Sequence, residues 1–221
     1  MSADNSQTTR YRTVAGTSTG RFEDRKSVFT GFVTHVTSEE ELVEFRHGVM
    51  RDIPEASHYV SAYVLHRGGL AHYSDAKEPH GTAGLPVLTV LQHHQLEDVG
   101  CVVARVFGGT LLGRGGLMRA YTAAAQRALE AARLMAAVPC IDVRAQMGYP
   151  WYERVRALVE EQGAQVLDAQ FAAQVELVFR VRAERCEAVL AQVGELTAGQ
   201  VAATPGAPRL QLVDDDERAG E

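Results

Sequence analysis

The stretch Val102–Ala132, VVARVFGGTLLGRGGLMRAYTAAAQRALEAA, decides the fold. Val102, Val103 and Val106 lie in a short apolar run that suits a buried strand. Phe107 to Gly116 is a loop holding five glycines: Gly108, Gly109, Gly113, Gly115 and Gly116. From Leu117 the apolar spacing becomes helical, and an alanine-rich helix is predicted to about Met135. A glycine-rich turn between strand and helix leaves backbone N–H groups free at the helix start, where they and the helix dipole can hold an anion. Arg105, Arg114 and Arg119 flank the turn. The other reading is that the glycines serve a tight turn and close helix packing. The spacing is neither a P-loop nor the dinucleotide fingerprint.

Upstream, Tyr11 to Gly16 is predicted as a strand, with Gly20 punctuating a turn after it. Ser27 to Val36 is rich in β-branched and aromatic residues and reads as a strand. Thr37 or Ser38 caps a helix whose apolar face is Leu42, Val43, Phe45, Val49 and Met50; Pro54 lies beyond its end. His58 to His66 is a strand, and Leu70 to Tyr73 returns after the turn Arg67-Gly68-Gly69. A polar loop, Ser74 to Gly84, then leads into a helix through Leu85, Leu88, Val90 and Leu91.

Downstream, a boundary is expected near Ala137-Val138-Pro139, because proline ends the long helix. Cys140 to Met147 is a strand, Trp151 to Gln162 a helix, Gln165 to Gln170 and Ala173 to Val181 two strands, Glu184 to Leu196 a helix, and Gln200 to Ala203 a last strand. The order βαββαβ suits a split βαβ sandwich with both helices on one face. The fold class is therefore α+β with two domains, residues 10–137 and 138–204, and disordered tails at 1–9 and 205–221.

The chain has 221 residues, 46% of them hydrophobic, and a net charge of -6, which argues against a surface coated for nucleic acid. The charge is uneven: Val102 to Met135 holds Arg105, Arg114, Arg119, Arg127 and Arg133 against Glu130 alone, a local +4, whereas Asp214-Asp215-Asp216-Glu217 is acidic. A helix with scattered arginines is more often just a solvated face. The start, MSADNSQTTRYR, lacks the apolar core of a signal peptide, and no run of about 18 apolar residues exists to span a membrane. Cys101, Cys140 and Cys186 fit neither a disulfide framework nor a zinc site, so buried free thiols in a reducing cytoplasm are expected.

Ser74-Asp75-x-x-Glu78-Pro79-x-Gly81-Thr82-Ala83-Gly84, Arg105-x-Phe107-Gly108-Gly109, and Leu112-Gly113-x-Gly115-Gly116-Leu117-x-Arg119-Ala120-Tyr121 are dense motifs, joined by Ala56, His58 and Ala62-Tyr63. Through these residues the part from Arg21 to Ala132 resembles the IMPACT/YigZ family. The resemblance implies a first domain like domain 2 of ribosomal protein S5 and a ferredoxin-like second domain. It brings no established reaction. The family's eukaryotic members act in translational control, by competing for a partner of an amino-acid-starvation kinase. For its bacterial members the two folds point to RNA or the ribosome, an analogy of fold. This chain departs from the family pattern at several places. The paired aspartates are Asp75 and Ala76, the following glycine is Lys77, a tyrosine is Val106, a lysine is Leu111, and Arg114 stands where a small or polar residue is usual.

The expected role is non-catalytic and linked to translation, with RNA, the ribosome or a translation-control protein as partner, no membrane and no cofactor. Arg105, Arg114 and Arg119 would meet phosphate, Gly108, Gly109, Gly115 and Gly116 would admit close backbone approach, and Phe107 and Tyr121 would stack on bases, unless both pack inward. The alternative is an enzyme acting on a small phosphorylated or peptide-like substrate. His58, His72, Asp75, Glu78 and His80 could serve it as acid, base or metal ligands, although Asp75 and Glu78 can instead cap the next helix or pair with an arginine. Ser74 and Thr82 lack a base partner, and His93-His94 is expected at the surface. The Asp75–Glu78 loop and the glycine loop are expected to meet in one cleft, Glu78 or Asp75 pairing with Arg105 or Arg119.

Overall fold

A computed structural model describes residues 9–215. The chain divides into two compact units, one built on Tyr11–Ala136 with residues 213–215, the other on Ala137–Leu212 with residues 9–10. The α+β, two-domain class expected from the sequence is what the chain adopts.

In the first unit an antiparallel sheet has the order β2 (Thr17–Asp24), β3 (Ser27–His35), β6 (Val99–Val106), β4 (His58–Val64), β5 (Ala71–Ser74). β6 is central and covered on both faces. Its Val99, Cys101 and Val103 join the core beneath α2 (Gly84–His93) and α3 (Gly113–Glu130). Its Val102 and Ala104 join the core beneath α1 (Glu39–Asp52). Two-sided burial is why this strand reads as a nearly unbroken apolar run rather than an alternation. α1 starts where the sequence put it: the Ser38 hydroxyl accepts the Glu41 N–H, while the Glu41 carboxylate reaches back to the N–H of Thr37. β1 (Tyr11–Ala15) adds Val14 to the α2/α3 side of the core.

α3 lies against β2 and β3 more closely than side chains normally permit. A Cβ on Gly20 would sit 2.2 Å from the Ala128 nitrogen, and one on Gly31 would sit 2.5 Å from the Ala124 carbonyl. Gly20 is therefore not the turn residue expected from sequence but a mid-strand contact point; Gly16, at φ +63°, sits between β1 and β2. The alanines 120, 124, 125 and 128 form the matching buried face of the helix.

The helix boundaries also differ from expectation. α3 starts at Gly113, not Leu117, and ends at Glu130, not Met135. Glycines 113, 115 and 116 are thus its first turn, and Arg133–Met147 is one long strand, β7, running through Pro139. Sheet pairing overrides the high helix propensity of Ala131, Ala132, Arg133, Leu134 and Met135.

In the second unit β7 pairs with β9 (Val175–Arg182), which pairs with β8 (Gln165–Phe171), and β10 (Ala202–Pro205) pairs on the other edge of β7, all antiparallel. α4 (Tyr149–Glu161) and α5 (Ala183–Leu196) pack on one face, closing a core of Val143, Met147, Leu177 and Phe179 with Val155, Val159, Val189 and Val193. The βαββαβ order is the ferredoxin-like arrangement. Arg209–Asp214, read from sequence as part of a loose tail, is a further strand, β11. The expected tail at residues 1–8, and the part of the C-terminal tail at 216–221, lie outside the described residues.

All three cysteines are free and buried. Among the described residues no helix is long and apolar enough to cross a membrane.

Candidate binding face around the glycine loop

The Ser74–Gly84 loop is built around the Asp75 carboxylate. It accepts the N–H groups of Gly81 at 2.8 Å, Ala83 at 3.1 Å and Gly84 at 2.8 Å, so it caps the start of α2. Burial would raise the pKa of this carboxyl, but the three backbone donors and nearby His80 outweigh it, and the group is held below the usual carboxylate range. The turn into Glu78 is tight, Glu78 N–H donating to Asp75 C=O at 2.9 Å, and it places Ala76 and Lys77 at φ +48° and +70°. Gly84 is required next to it: a Cβ there would lie 2.8 Å from the Ser74 backbone. Thr82 is fully buried, its hydroxyl donating to the Pro79 carbonyl at 2.6 Å. Ser74 Oγ accepts the Ala76 N–H.

Glu78 turns inward and is only 8% exposed. One of its oxygens, Oε1, accepts from Arg105 Nη1 at 2.6 Å and from the Tyr121 hydroxyl at 2.8 Å, with His58 Nε2 at 3.8 Å. The sheet register explains the gathering. Arg105 of β6 is opposite Phe29 of β3 and His58 of β4, so all three stand in one cross-strand row. The Arg105 guanidinium, 5% exposed, lies 5.4 Å from the ring centres of both Phe29 and Phe107. Burial and the adjacent Glu78 carboxylate push the Tyr121 hydroxyl far above its ordinary pKa. His58 is oriented by a 2.8 Å contact between Nδ1 and the Ala76 carbonyl.

The acidic loop and the glycine loop therefore meet, through Glu78 and Arg105. A second tie joins Arg114 Nη2 to the His80 carbonyl at 3.0 Å. This corrects the roles read from sequence. Arg105 is a buried counter-charge rather than a phosphate contact, and Tyr121 packs inward, edge-on to Phe29, rather than stacking on bases. Asp75 is a cap, and Glu78 is consumed by its two partners, which leaves neither as a free acid or base. Gly116 is buried beneath Leu112, whose Cβ would be 2.9 Å from an added methyl group. Phe107, by contrast, is 47% exposed, so the option that it belongs to the core does not hold. His72 lies on β5 beside Tyr63 and Tyr73, and His93 and His94 line a groove between α2 and α3.

What remains open to solvent is a cationic rim. Arg114 and Arg119 are exposed on the first turns of α3, whose N-terminus has no side-chain cap and no acid. Gly109 and Gly115 face open space. The β2–β3 hairpin brings two more cations: Arg25 and Lys26 form its two-residue turn, at φ +47° and +66°. Arg25 Nη1 donates to the Leu111 carbonyl at 3.2 Å. Gly108 is pressed onto the hairpin backbone, where a Cβ would lie 2.1 Å from Lys26, and its N–H donates to the Ser27 hydroxyl at 3.0 Å. Sequence reasoning missed Arg25 and Lys26. The signal was there, since a two-residue interval between strands that favours Asn-Gly carries two cations instead. Leu111, 80% exposed, stands beside them. Among the described residues no group of three His, Cys, Asp or Glu side chains is arranged to hold a metal.

Comparison with known proteins finds matches in both units. The family model for the Impact N-terminal domain matches residues 25–129, and that for a domain of unknown function (DUF1949) matches residues 146–200. An IMPACT family member of Haemophilus influenzae is 31% identical over 182 residues, 81% of this chain and 88% of the relative. The IMPACT family member YigZ of Escherichia coli is 28% identical over 182 residues, 81% of this chain and 89% of the relative. A crystal structure of a hypothetical protein superposes with a TM-score of 0.59 at 26% identity, covering 94% of this chain and 98% of that one.

Proposed function

The chain belongs to the IMPACT family, and from that premise we propose that it is a non-catalytic, cytoplasmic binding protein of translation whose ligand is RNA, free or on the ribosome. The contact face is the rim of the glycine loop. Arg25, Lys26, Arg114 and Arg119 meet phosphates, and Phe107 offers a face on which a base stacks. The observation that carries this reading is the separation of two arginine populations. Arg105 is sealed against Glu78, whereas Arg114 and Arg119 stand exposed around an uncapped helix start beside a half-exposed aromatic ring. The translational setting comes from the family. Catalysis in the cleft between the two loops is the weaker reading, because Asp75 and Glu78 are both engaged.

The test is RNA binding by the full chain over a salt series, beside Arg114→Ala/Arg119→Ala and Arg25→Ala/Lys26→Ala. Each pair of substitutions is expected to weaken binding and to flatten the salt slope by about 1.4, the value for two single-strand phosphate contacts. Absence of binding at low salt removes the reading.

A further inference from the structure

The second unit has a charged concavity that the glycine-loop reading does not use. In the ferredoxin-like sheet, alternate residues of β7 and β9 point away from the helices, and there Asp142, Arg144 and Arg180 share one face. β10 and the segment after it wall this face on one side: the Gly206 N–H donates to the Asp142 carbonyl at 3.0 Å, and Arg209 and Gln211 follow. The result is a cavity of about 290 Å³ lined by Cys140, Asp142, Arg144, Arg180, Arg209 and Gln211.

Its charge is unbalanced. Three guanidiniums share one carboxylate. Asp142 holds Arg180 by two hydrogen bonds, Nε to Oδ1 at 2.6 Å and Nη2 to Oδ2 at 2.9 Å, and Gln211 Oε1 accepts from Arg180 Nη1 at 2.9 Å. Arg180 is thereby fixed in place rather than free to swing. Arg144 and Arg209 are exposed and have no carboxylate in ion-pair contact among the described residues. On a chain of net charge -6, a concavity with a local excess of two positive charges focuses positive potential against the overall charge of the chain. Guanidinium groups pair with carboxylate and phosphate oxygens alike, but a phosphate offers more oxygens and more negative charge, so three guanidiniums, one of them held in place by Asp142 and Gln211, are better matched by it. The cavity is larger than a single phosphate group, so it has room for a phosphate that carries a further group.

We propose that this cavity is a phosphate-binding site, taking the phosphoryl group of a small phosphate ester or of a nucleic-acid backbone through Arg144, Arg180 and Arg209. It stands independently of the glycine-loop reading.

The test is calorimetric titration of the full chain with pyrophosphate at about 50 mM salt, where charge contacts are least screened. Saturable binding is expected, weakened about tenfold or more in Arg144→Ala/Arg209→Ala and unchanged in Arg51→Ala, an exposed cation at the end of α1. Asp142→Asn, which removes the competing carboxylate, is expected to tighten it. A second arm adds an RNA decamer: competition with pyrophosphate at this site identifies a strand backbone as the source, and its absence identifies a small ester. No saturable pyrophosphate binding, binding unchanged in Arg144→Ala/Arg209→Ala, or binding lost instead in Arg51→Ala overturns the site. Failure of RNA binding at the glycine loop leaves the pyrophosphate result standing, so the two readings fail separately.

Discussion

Arg105 and Glu78 face each other across 2.6 Å, guanidinium to carboxylate, with both side chains almost sealed from water. The pair fastens the acidic loop to the central strand of the first unit. Removing one partner alone strands the other charge in a poorly solvated place. Glu78→Gln is therefore expected to destabilise the first unit by about 3–5 kcal/mol, and Glu78→Gln/Arg105→Met to recover much of that loss. Urea unfolding of the parent chain, Glu78→Gln, Arg105→Met and the double variant measures it. Strictly additive effects would mean that the two charges do not depend on each other.

Tyr121 donates to the same carboxylate oxygen. Tyr121→Phe keeps the ring against Phe29 and deletes only the hydroxyl, at a cost of about 1.5–3 kcal/mol, the range for a hydrogen bond to a charged group. RNA affinity should not change. A loss of affinity without a loss of stability would put Tyr121 back among the ligand contacts.

Asp75 gives the stability curve an acid limb. Its carboxyl is depressed in the folded chain by the backbone donors of Gly81, Gly84 and Ala83. The carboxylate therefore contributes stability that is fully present above the ordinary, unfolded carboxyl range, about pH 4, and is lost as pH falls through the lower folded value. Asp75→Asn should unfold more easily than the parent chain at pH 6, and the two curves should converge toward pH 2. Parallel curves across that range would show that the charge of Asp75 is not what caps α2.

Lys77 occupies a left-handed position, φ +70°, where the family pattern has glycine. A side chain there costs about 1–2 kcal/mol, partly offset because glycine is more costly to order. Lys77→Gly is expected to stabilise the first unit by about 0.5–1 kcal/mol in thermal unfolding. A destabilised variant would show that the Lys77 side chain contributes more than its backbone loses.

The sequence was most readable where local chemistry and burial agree. β6 announces itself because both of its faces are covered, and α1 because Ser38 and Glu41 make a reciprocal cap. It was least readable where a residue's role depends on what arrives from elsewhere in the chain. Gly20 looks like a turn until α3 is laid on it, and Gly113 to Gly116 look like a loop although they form a helical turn. The same limit applies to the site. The motif residues could be expected to gather, and Arg105 does meet Glu78. Which of them would be shut inside follows from the Phe29–Arg105–His58 row, a matter of register. Arg25 and Lys26 join the rim from more than eighty residues away, through a hairpin turn that lies outside the dense motifs.

The burial of every thiol makes the chain a clock for its own opening. Cys101 is wholly enclosed under α2 and α3, and burial pushes its thiol up to about 12, so neither contact nor ionisation favours attack while the first unit is closed. Cys186 is enclosed in the core of the second unit, and burial raises its thiol as well. A thiol reagent added to the native chain consequently reacts at the rate at which each unit unlatches, and mass spectrometry of the labelled peptides separates the two rates. Stability changes made at Glu78 or Asp75 would then appear as faster labelling at Cys101, with Cys186 serving as the timekeeper of the other unit.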